Sequence, residues 1–178
     1  MKKISVSLFA IAILAAASWY FFFKEPVFNA TEGFLVNVND KDVIIEGYDP
    51  VAYFTDNKAE MGSSQFSTKY NGATYWFASA EHAAVFKNDP RKFAPQYGAF
   101  CGYAISIGKL RPVDPKIFQI ENGRLILQHT QEAYYLFNKD LKTSVEKADI
   151  KWPAIVESHV GRPVQYDKPA SAPTAANK

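Results

Sequence analysis

The sequence predicts a small single α+β domain in which antiparallel hairpins pack against short helices. Two Asn-Gly pairs, at 71–72 and 122–123, each separate short runs rich in aromatic and aliphatic residues. Asn-Gly is the strongest short-range hairpin signal, because a type I′ turn requires positive φ at both central residues. Ser79 and Thr130 can each cap a helix that follows one of these hairpins. With 178 residues, 48% of them hydrophobic, the chain is long enough for one packed domain with tails.

The N-terminal stretch predicts export. Lysines stand at positions 2 and 3, and no further charge occurs until Lys24. The apolar run at 4–23 has the length of a transmembrane helix. The three alanines at 15–17 would instead serve as the cleavage site of a secretory signal peptide, whereas the aromatic cluster at 19–23 favours an uncleaved anchor. Both alternatives place the domain in the periplasm or another extracytoplasmic space, with the anchored form attached to the inner membrane.

Charge and cysteine content exclude some classes of protein. The chain has 20 Lys and Arg against 18 Asp and Glu, so without the two leader lysines the numbers are equal at 18. No basic block or basic-aromatic stripe remains, and nucleic acid is therefore not an expected partner. The single cysteine, Cys101, excludes an internal disulfide.

Before the first hairpin the pattern is less regular. Residues 34–38 and 43–45 are predicted to pair as strands around a polar turn. Asp49 before Pro50 favours a further turn. The apolar run at 51–54 is consistent with a strand or with a buried corner, since periodicity cannot separate them over four residues.

The first hairpin should carry much of the core. The two-residue loop at 71–72 sets a register that pairs Thr68 with Tyr75 and Phe66 with Phe77. The aromatic side chains that then share one face are those of Phe66, Tyr70, Tyr75 and Phe77. Burial of such side chains stabilises a fold by roughly 1.5–3 kcal/mol each, so this face is predicted to be a stability centre.

A short helix follows from Ser79 to about Lys87, where an Asn-Asp-Pro sequence ends it. At 100° per residue, His82 falls between Val85 and Phe86, the two bulky apolar residues of this helix. His82 is therefore predicted to point inward.

The second half repeats the hairpin-helix arrangement. Residues 105–112 are expected to be irregular, and the second hairpin joins 117–121 to 124–128. Its register places an oppositely charged pair, Glu121 and Arg124, at the end of the hairpin. The apolar residues that share one face are Phe118, Ile120, Leu125 and Leu127.

Two further helices are predicted, at 131–138 after the Thr130 cap and at 141–148. Trp152-Pro153 then ends the domain. Beyond His159 the composition shifts to Pro, Ala, Ser and Lys, which predicts a disordered tail.

Motifs spread along this stretch resemble those of the YHS domain family. They are D-P-V at 49–51, Tyr70-x-Gly72, Tyr75-x-Phe77-x-Ser79, Phe86 and Asp89-Pro90-x-x-Phe93. The segment A-P-Q-Y-G-A-F-C-G-Y-A at 94–104 is similar to one in the exported bacterial subgroup of YHS proteins, and the resemblance spans roughly residues 37–153. It implies a small α+β fold and leaves the activity open, because the family itself is poorly characterised.

The resemblance also implies candidate metal ligands. Metal-associated YHS domains carry cysteines at the positions that here are Ala52, Ala78 and His82. Only His82 is left as a metal ligand at these positions, and the subgroup segment adds Cys101. A structural zinc site needs four N or S ligands, so copper is expected before zinc. Met61 or His129 would complete a two- or three-ligand Cu(I) site.

Metal binding is one of several roles open to the two candidate residues. Cys101 is a buried packing residue, a ligand or a reactive thiol, and His82 is a core histidine or a ligand. A thiol enzyme would use His82 as the base for Cys101 and needs a third, orienting group. The sequence contains no G-x-S-x-G, P-loop, G-x-G-x-x-G or H-E-x-x-H motif.

These observations divide the chain into a signal peptide or anchor at 1–23, a linker at 24–33, a YHS-type domain at 34–153 and an extension at 154–178. The leading hypothesis is an exported, non-enzymatic binding module for a soft metal ion such as copper, or for a small apolar ligand. The alternatives are a structural or interaction protein without metal, and a thiol-dependent enzyme.

Overall fold

Two antiparallel hairpins and six α-helices build the part of the chain that the computed structural model describes, residues 34–159. The strands are β1 (Ser63–Tyr70), β2 (Ala73–Phe77), β3 (Asp114–Glu121) and β4 (Arg124–Gln128). The helices are α1 (Ala52–Thr55), α2 (Ala80–Asn88), α3 (Pro90–Phe93), α4 (Gly102–Ser106), α5 (Gln131–Asn138) and α6 (Leu141–His159). Strands β1 and β2 form one two-stranded sheet, and β3 and β4 form another. The predicted α+β class is therefore confirmed.

Both hairpin turns are as predicted, with positive φ at the Asn and the Gly of each pair. In the first hairpin Thr68 lies opposite Tyr75, but Phe77 pairs with Ser63 rather than with Phe66, because the register shifts before Ser67. The shift lies close to Gly62, where an added Cβ would be 2.6 Å from the backbone carbon of Trp76. The predicted pairing of Phe66 with Phe77 is thus wrong, although both rings still reach the core.

The second hairpin has the predicted register, with Glu121 opposite Arg124 and Phe118 opposite Leu127. The Arg124 side chain nevertheless turns away from Glu121. Its Nη2 lies 2.6 Å from Oδ1 of Asp149, and the guanidinium stands over the ring of Tyr97. This ion pair, with Arg124 as the hydrogen-bond donor, lowers the pKa of the Asp149 carboxyl and ties the hairpin to α6.

The predictions about the first part of the domain are confirmed only in part. The segments at 34–38 and 43–45 do pair, but through the single antiparallel bridge from Val38 to Ile44 and not as strands, and Val43 bridges to Thr74. Positive φ at Ile45 ends the extended stretch after Ile44. Of the two alternatives for the run at 51–54, the buried corner is confirmed, since Val51, Ala52 and Tyr53 are buried and Ala52–Thr55 makes one helical turn.

Helices in the second half also depart from the predictions. Helix α4 occupies part of the stretch expected to be irregular, and the amide of Tyr103 in its first turn donates to Oε1 of Gln128 at 3.0 Å. This cap comes from a residue distant in sequence, so no local signal marks it. Helix α6 continues through Pro153 to His159, because Trp152 and Val156 pack on the core on either side of the proline.

The core has two clusters of buried side chains. The first centres on Phe86, whose ring lies 4.7 Å from that of Tyr75 and 5.1 Å from that of Phe77. The second lies between α4, β4, α5 and α6, and includes Phe100 and Phe137. Val85, predicted to be an inner residue of α2, is 43% exposed.

Within residues 34–159 no helix combines the length and the apolar character that a membrane crossing requires. The predicted export segment at 1–23, the linker at 24–33 and the disordered tail beyond residue 160 fall outside the described residues.

Candidate functional site at Asp49 and His82

Asp49 is a carboxylate with no solvent exposure, and it joins three parts of the fold. Its Oδ1 accepts a hydrogen bond from the amide of Val51 at 2.8 Å, and its Oδ2 accepts one from the amide of Ala78 at 2.8 Å. Oδ2 also lies 2.6 Å from Nδ1 of His82. Buried acidic groups need such partners, and these three connect the turn before α1, the end of β2 and helix α2.

The chain enters Asp49 through an unusual left-handed turn. Ile45, Glu46 and Gly47 have φ of 45°, 53° and 88°, and a left-handed residue other than glycine costs roughly 1–2 kcal/mol. An added Cβ at Gly47 would be 2.7 Å from the Trp76 ring, so the turn is pressed against β2. Such backbone strain persists only where tertiary contacts hold it, and it clusters at functional sites.

His82 reaches Asp49 from helix α2. Ser79 caps the helix as predicted, because its Oγ accepts a hydrogen bond from the His82 amide at 3.1 Å. The side chain is 22% exposed, so the predicted inward orientation is confirmed for most of the ring. Since Oδ2 of Asp49 already accepts from Ala78, the imidazole donates through Nδ1, which leaves Nε2 for another partner.

A carboxylate bonded to one imidazole nitrogen orients the other nitrogen as a metal ligand or as a base. The Asp49–His82 pair has this arrangement. The Ser79 hydroxyl accepts a hydrogen bond from the His82 amide as the helix cap. It is therefore not placed as a nucleophile that the His82 imidazole would activate. The arrangement of the pair is compatible with metal binding and with general-base chemistry.

Cys101 lies in a different environment. It is 1% exposed, and its Sγ donates to Oε1 of Gln128 at 3.2 Å. Burial raises the pKa of this thiol above its usual range. Within residues 34–159 no hydrogen bond joins Cys101 to His82, and no group of three or more His, Cys, Asp or Glu side chains is placed to hold a metal ion.

The other two proposed metal ligands, Met61 and His129, lie in different parts of the fold. Met61 is 54% exposed, and its backbone pairs with Tyr48, the residue before Asp49. His129 follows β4, and burial lowers the pKa of its imidazole. Met61 is thus connected to the segment of Asp49 through its bridge to Tyr48. His129 lies instead beside Cys101 and directly after Gln128 in the chain.

A four-ligand zinc site does not fit these residues. Ala52 is fully buried and offers no donor, and Ala78 uses its amide to bond Asp49. A structural zinc ion requires four N or S ligands. The His82 imidazole and the Met61 thioether are donor types that suit Cu(I).

The role of Asp49 was not predicted from the sequence. Its position before Pro50 indicated only a turn. One signal in the sequence does bear on it, because Asp49 directly precedes the apolar run at 51–54. A carboxylate beside a buried run is either exposed to solvent or paired with a hydrogen-bond donor. In the structure, the Asp49 carboxylate is buried and paired with the three donors described above.

The Cys101 thiol should be inert in the native state. We expect iodoacetamide at neutral pH to alkylate it at least about a hundredfold more slowly than in the urea-unfolded chain, because reaction requires deprotonation and opening of a buried site. Mass spectrometry of the intact protein measures this, with the unfolded chain as the control. Alkylation at equal rates in both states would contradict the prediction.

Comparisons of this chain with protein-family models, with curated proteins and with solved structures find no match.

Proposed function

We propose that this protein is an exported, non-enzymatic binding module of the YHS type, and that it binds a soft metal ion, copper before zinc, through Nε2 of His82. The observation that supports this is the 2.6 Å contact between Nδ1 of His82 and the fully buried Asp49 carboxylate. The contact orients the imidazole and keeps Nε2 available on a partly exposed ring. An outer carboxylate of this kind raises the basicity of a ligating imidazole.

The remaining coordination would come from a soft donor. Met61 has a thioether, the ligand type that Cu(I) prefers, and it lies on the segment that pairs with Tyr48 beside Asp49. Cys101, which is buried and bonded to Gln128, is better suited to packing than to holding a metal as a thiolate. Its raised pKa also disfavours the thiol-enzyme alternative, since a nucleophilic cysteine needs a lowered one.

Copper binding by the purified full chain tests this function. We expect one Cu(I) per chain in a competition titration with a chromophoric chelator, and at least about a tenfold loss of affinity in His82→Ala, because the anchoring nitrogen is removed. His129→Ala is the matched control and should retain the wild-type affinity.

Further variants assign the second donor. Met61→Leu should weaken Cu(I) binding, and Cys101→Ser should leave it unchanged while altering stability. Far-UV circular dichroism of each variant separates a lost ligand from a lost fold. Absence of stoichiometric copper and zinc in the folded wild type would reject the function.

A second function is supported by the three contacts of Asp49 taken together. Asp49 joins the turn at 49–51, β2 and α2 through three hydrogen bonds, which is also what a purely structural connection requires. In that case the domain is a structural or interaction module, and His82→Ala lowers its stability without any effect on metal content.

A further inference from the structure

A cleft of about 270 Å³ lies between the first hairpin, the segment at 94–98 and helix α6. Neither Asp49 nor His82 lines it, so it is separate from the proposed metal site. Five of the fourteen described residues that line it are aromatic, and the others include polar and aliphatic residues. The rings that line it are those of Phe34, Tyr70, Tyr75, Tyr97 and Trp152.

One positive charge faces this aromatic cleft. Arg91, in the short helix α3, is the only charged residue among its lining side chains within residues 34–159. It makes no ion pair and no hydrogen bond through its side chain to any of those described residues. A guanidinium is the side chain best matched to a carboxylate, because its donors form a planar fork.

The wall of the cleft opposite the hairpin is held rigidly. Tyr97, Gly98 and Ala99 have φ of 53°, 58° and 63°, a strained arrangement for two residues with side chains. The amide and the side-chain Nδ2 of Asn37 hold this turn by donating to the carbonyls of Gly98 and Ala99, both at 2.8 Å. The Tyr97 hydroxyl donates to Asp149 at 2.8 Å, so the ring cannot turn freely.

We propose that this cleft is a binding site for a small planar anion, an aromatic carboxylate, whose ring lies among the aromatic side chains and whose carboxylate pairs with Arg91. Offset or edge-to-face ring contacts supply the attraction for the ring, and the Arg91 guanidinium, which has no ion pair within residues 34–159, supplies the charge complementarity. The volume is slightly below the range of roughly 300–1,000 Å³ for drug-sized ligands. The ligand is therefore limited to one or two fused rings.

Binding of 2-naphthoate to the full chain, measured by isothermal titration calorimetry, tests the proposal, with uncharged 2-naphthamide as the matched probe. We expect saturable binding of 2-naphthoate and about a tenfold weaker binding of 2-naphthamide, since the charge-assisted contact with Arg91 is lost. Arg91→Met should reduce the affinity for 2-naphthoate to that of the amide. Lys87→Met removes an exposed charge from α2 outside the cleft and should change nothing.

The aromatic wall is tested separately by Phe34→Ser, because Phe34 is 38% exposed and its loss leaves the core intact. This variant should weaken both probes, whereas Ile150→Ser, at an exposed apolar residue outside the cleft, should weaken neither. Equal affinity for the two probes, or unchanged binding in Arg91→Met, would overturn the proposal. So would absence of saturable binding, the result expected if a second copy or residues before Phe34 cover the cleft.

Discussion

Replacement of Asp49 by alanine is expected to destabilise the domain by about 3–5 kcal/mol, because it removes a fully buried carboxylate and leaves the buried amide of Val51, the half-buried amide of Ala78 and the His82 imidazole without their partner. The carboxylate is fully buried and holds Val51, Ala78 and His82 at 2.6–2.8 Å. Urea unfolding followed by circular dichroism measures the loss.

A matched control exists in the same chain. Asp140 also accepts a hydrogen bond from a backbone amide, that of Thr143 at 3.2 Å, but it is exposed. Asp140→Ala should therefore cause a much smaller loss of stability, since water replaces the lost partner. Equal losses in the two variants would mean that the buried connection at Asp49 contributes nothing beyond an ordinary cap.

Replacement of Gly98 by alanine is the second large expected effect, a loss of about 2–5 kcal/mol. A Cβ at this position would overlap the carbonyl oxygen of Leu35, and backbone atoms on both sides would have to move. Overpacking costs about 1–3 kcal/mol, and the left-handed backbone adds roughly 1–2 kcal/mol for a residue other than glycine. Thermal and urea unfolding measure the change.

Gly123→Ala separates these two contributions. Gly123 has φ of 74°, similarly left-handed, but nothing lies within 4 Å of an added Cβ. This control should lose only the conformational part, roughly 1–2 kcal/mol. If both alanine variants lost the same free energy, close packing of the turn at 97–99 against Leu35 would not be what requires glycine there.

Local signals account for the predictions that the structure confirms. The Asn-Gly turns and the caps at Ser79 and Thr130 each depend on residues within three positions of one another. Their conformations follow from the steric properties and hydrogen bonds of those residues alone. Helical spacing also placed His82 on the inner side of α2 with Phe86, but the same spacing placed Val85 there, and Val85 is exposed.

Long-range contacts account for the predictions that are wrong or missing. Helix α4 begins where Gln128 accepts the Tyr103 amide, 25 residues apart in sequence, and α6 passes Pro153 because the core lies on both sides of it. The left-handed turn at 45–47 contains Ile45, a β-branched residue that avoids positive φ. Only packing against other segments stabilises these conformations.

The candidate site likewise has features that depend on neighbouring residues in the sequence and features that depend on tertiary contacts. From the sequence came the α+β class, two hairpin registers near their turns and one inward imidazole, because each depends on short-range geometry. The tertiary structure alone decided that His82 meets Asp49, 33 residues away, that Cys101 meets Gln128 instead, and that Arg91, which forms no ion pair within residues 34–159, lines the cleft. Those pairings depend on how separate segments of the chain pack together. Packing excludes water from a polar side chain, and only then does that side chain require a partner within the protein.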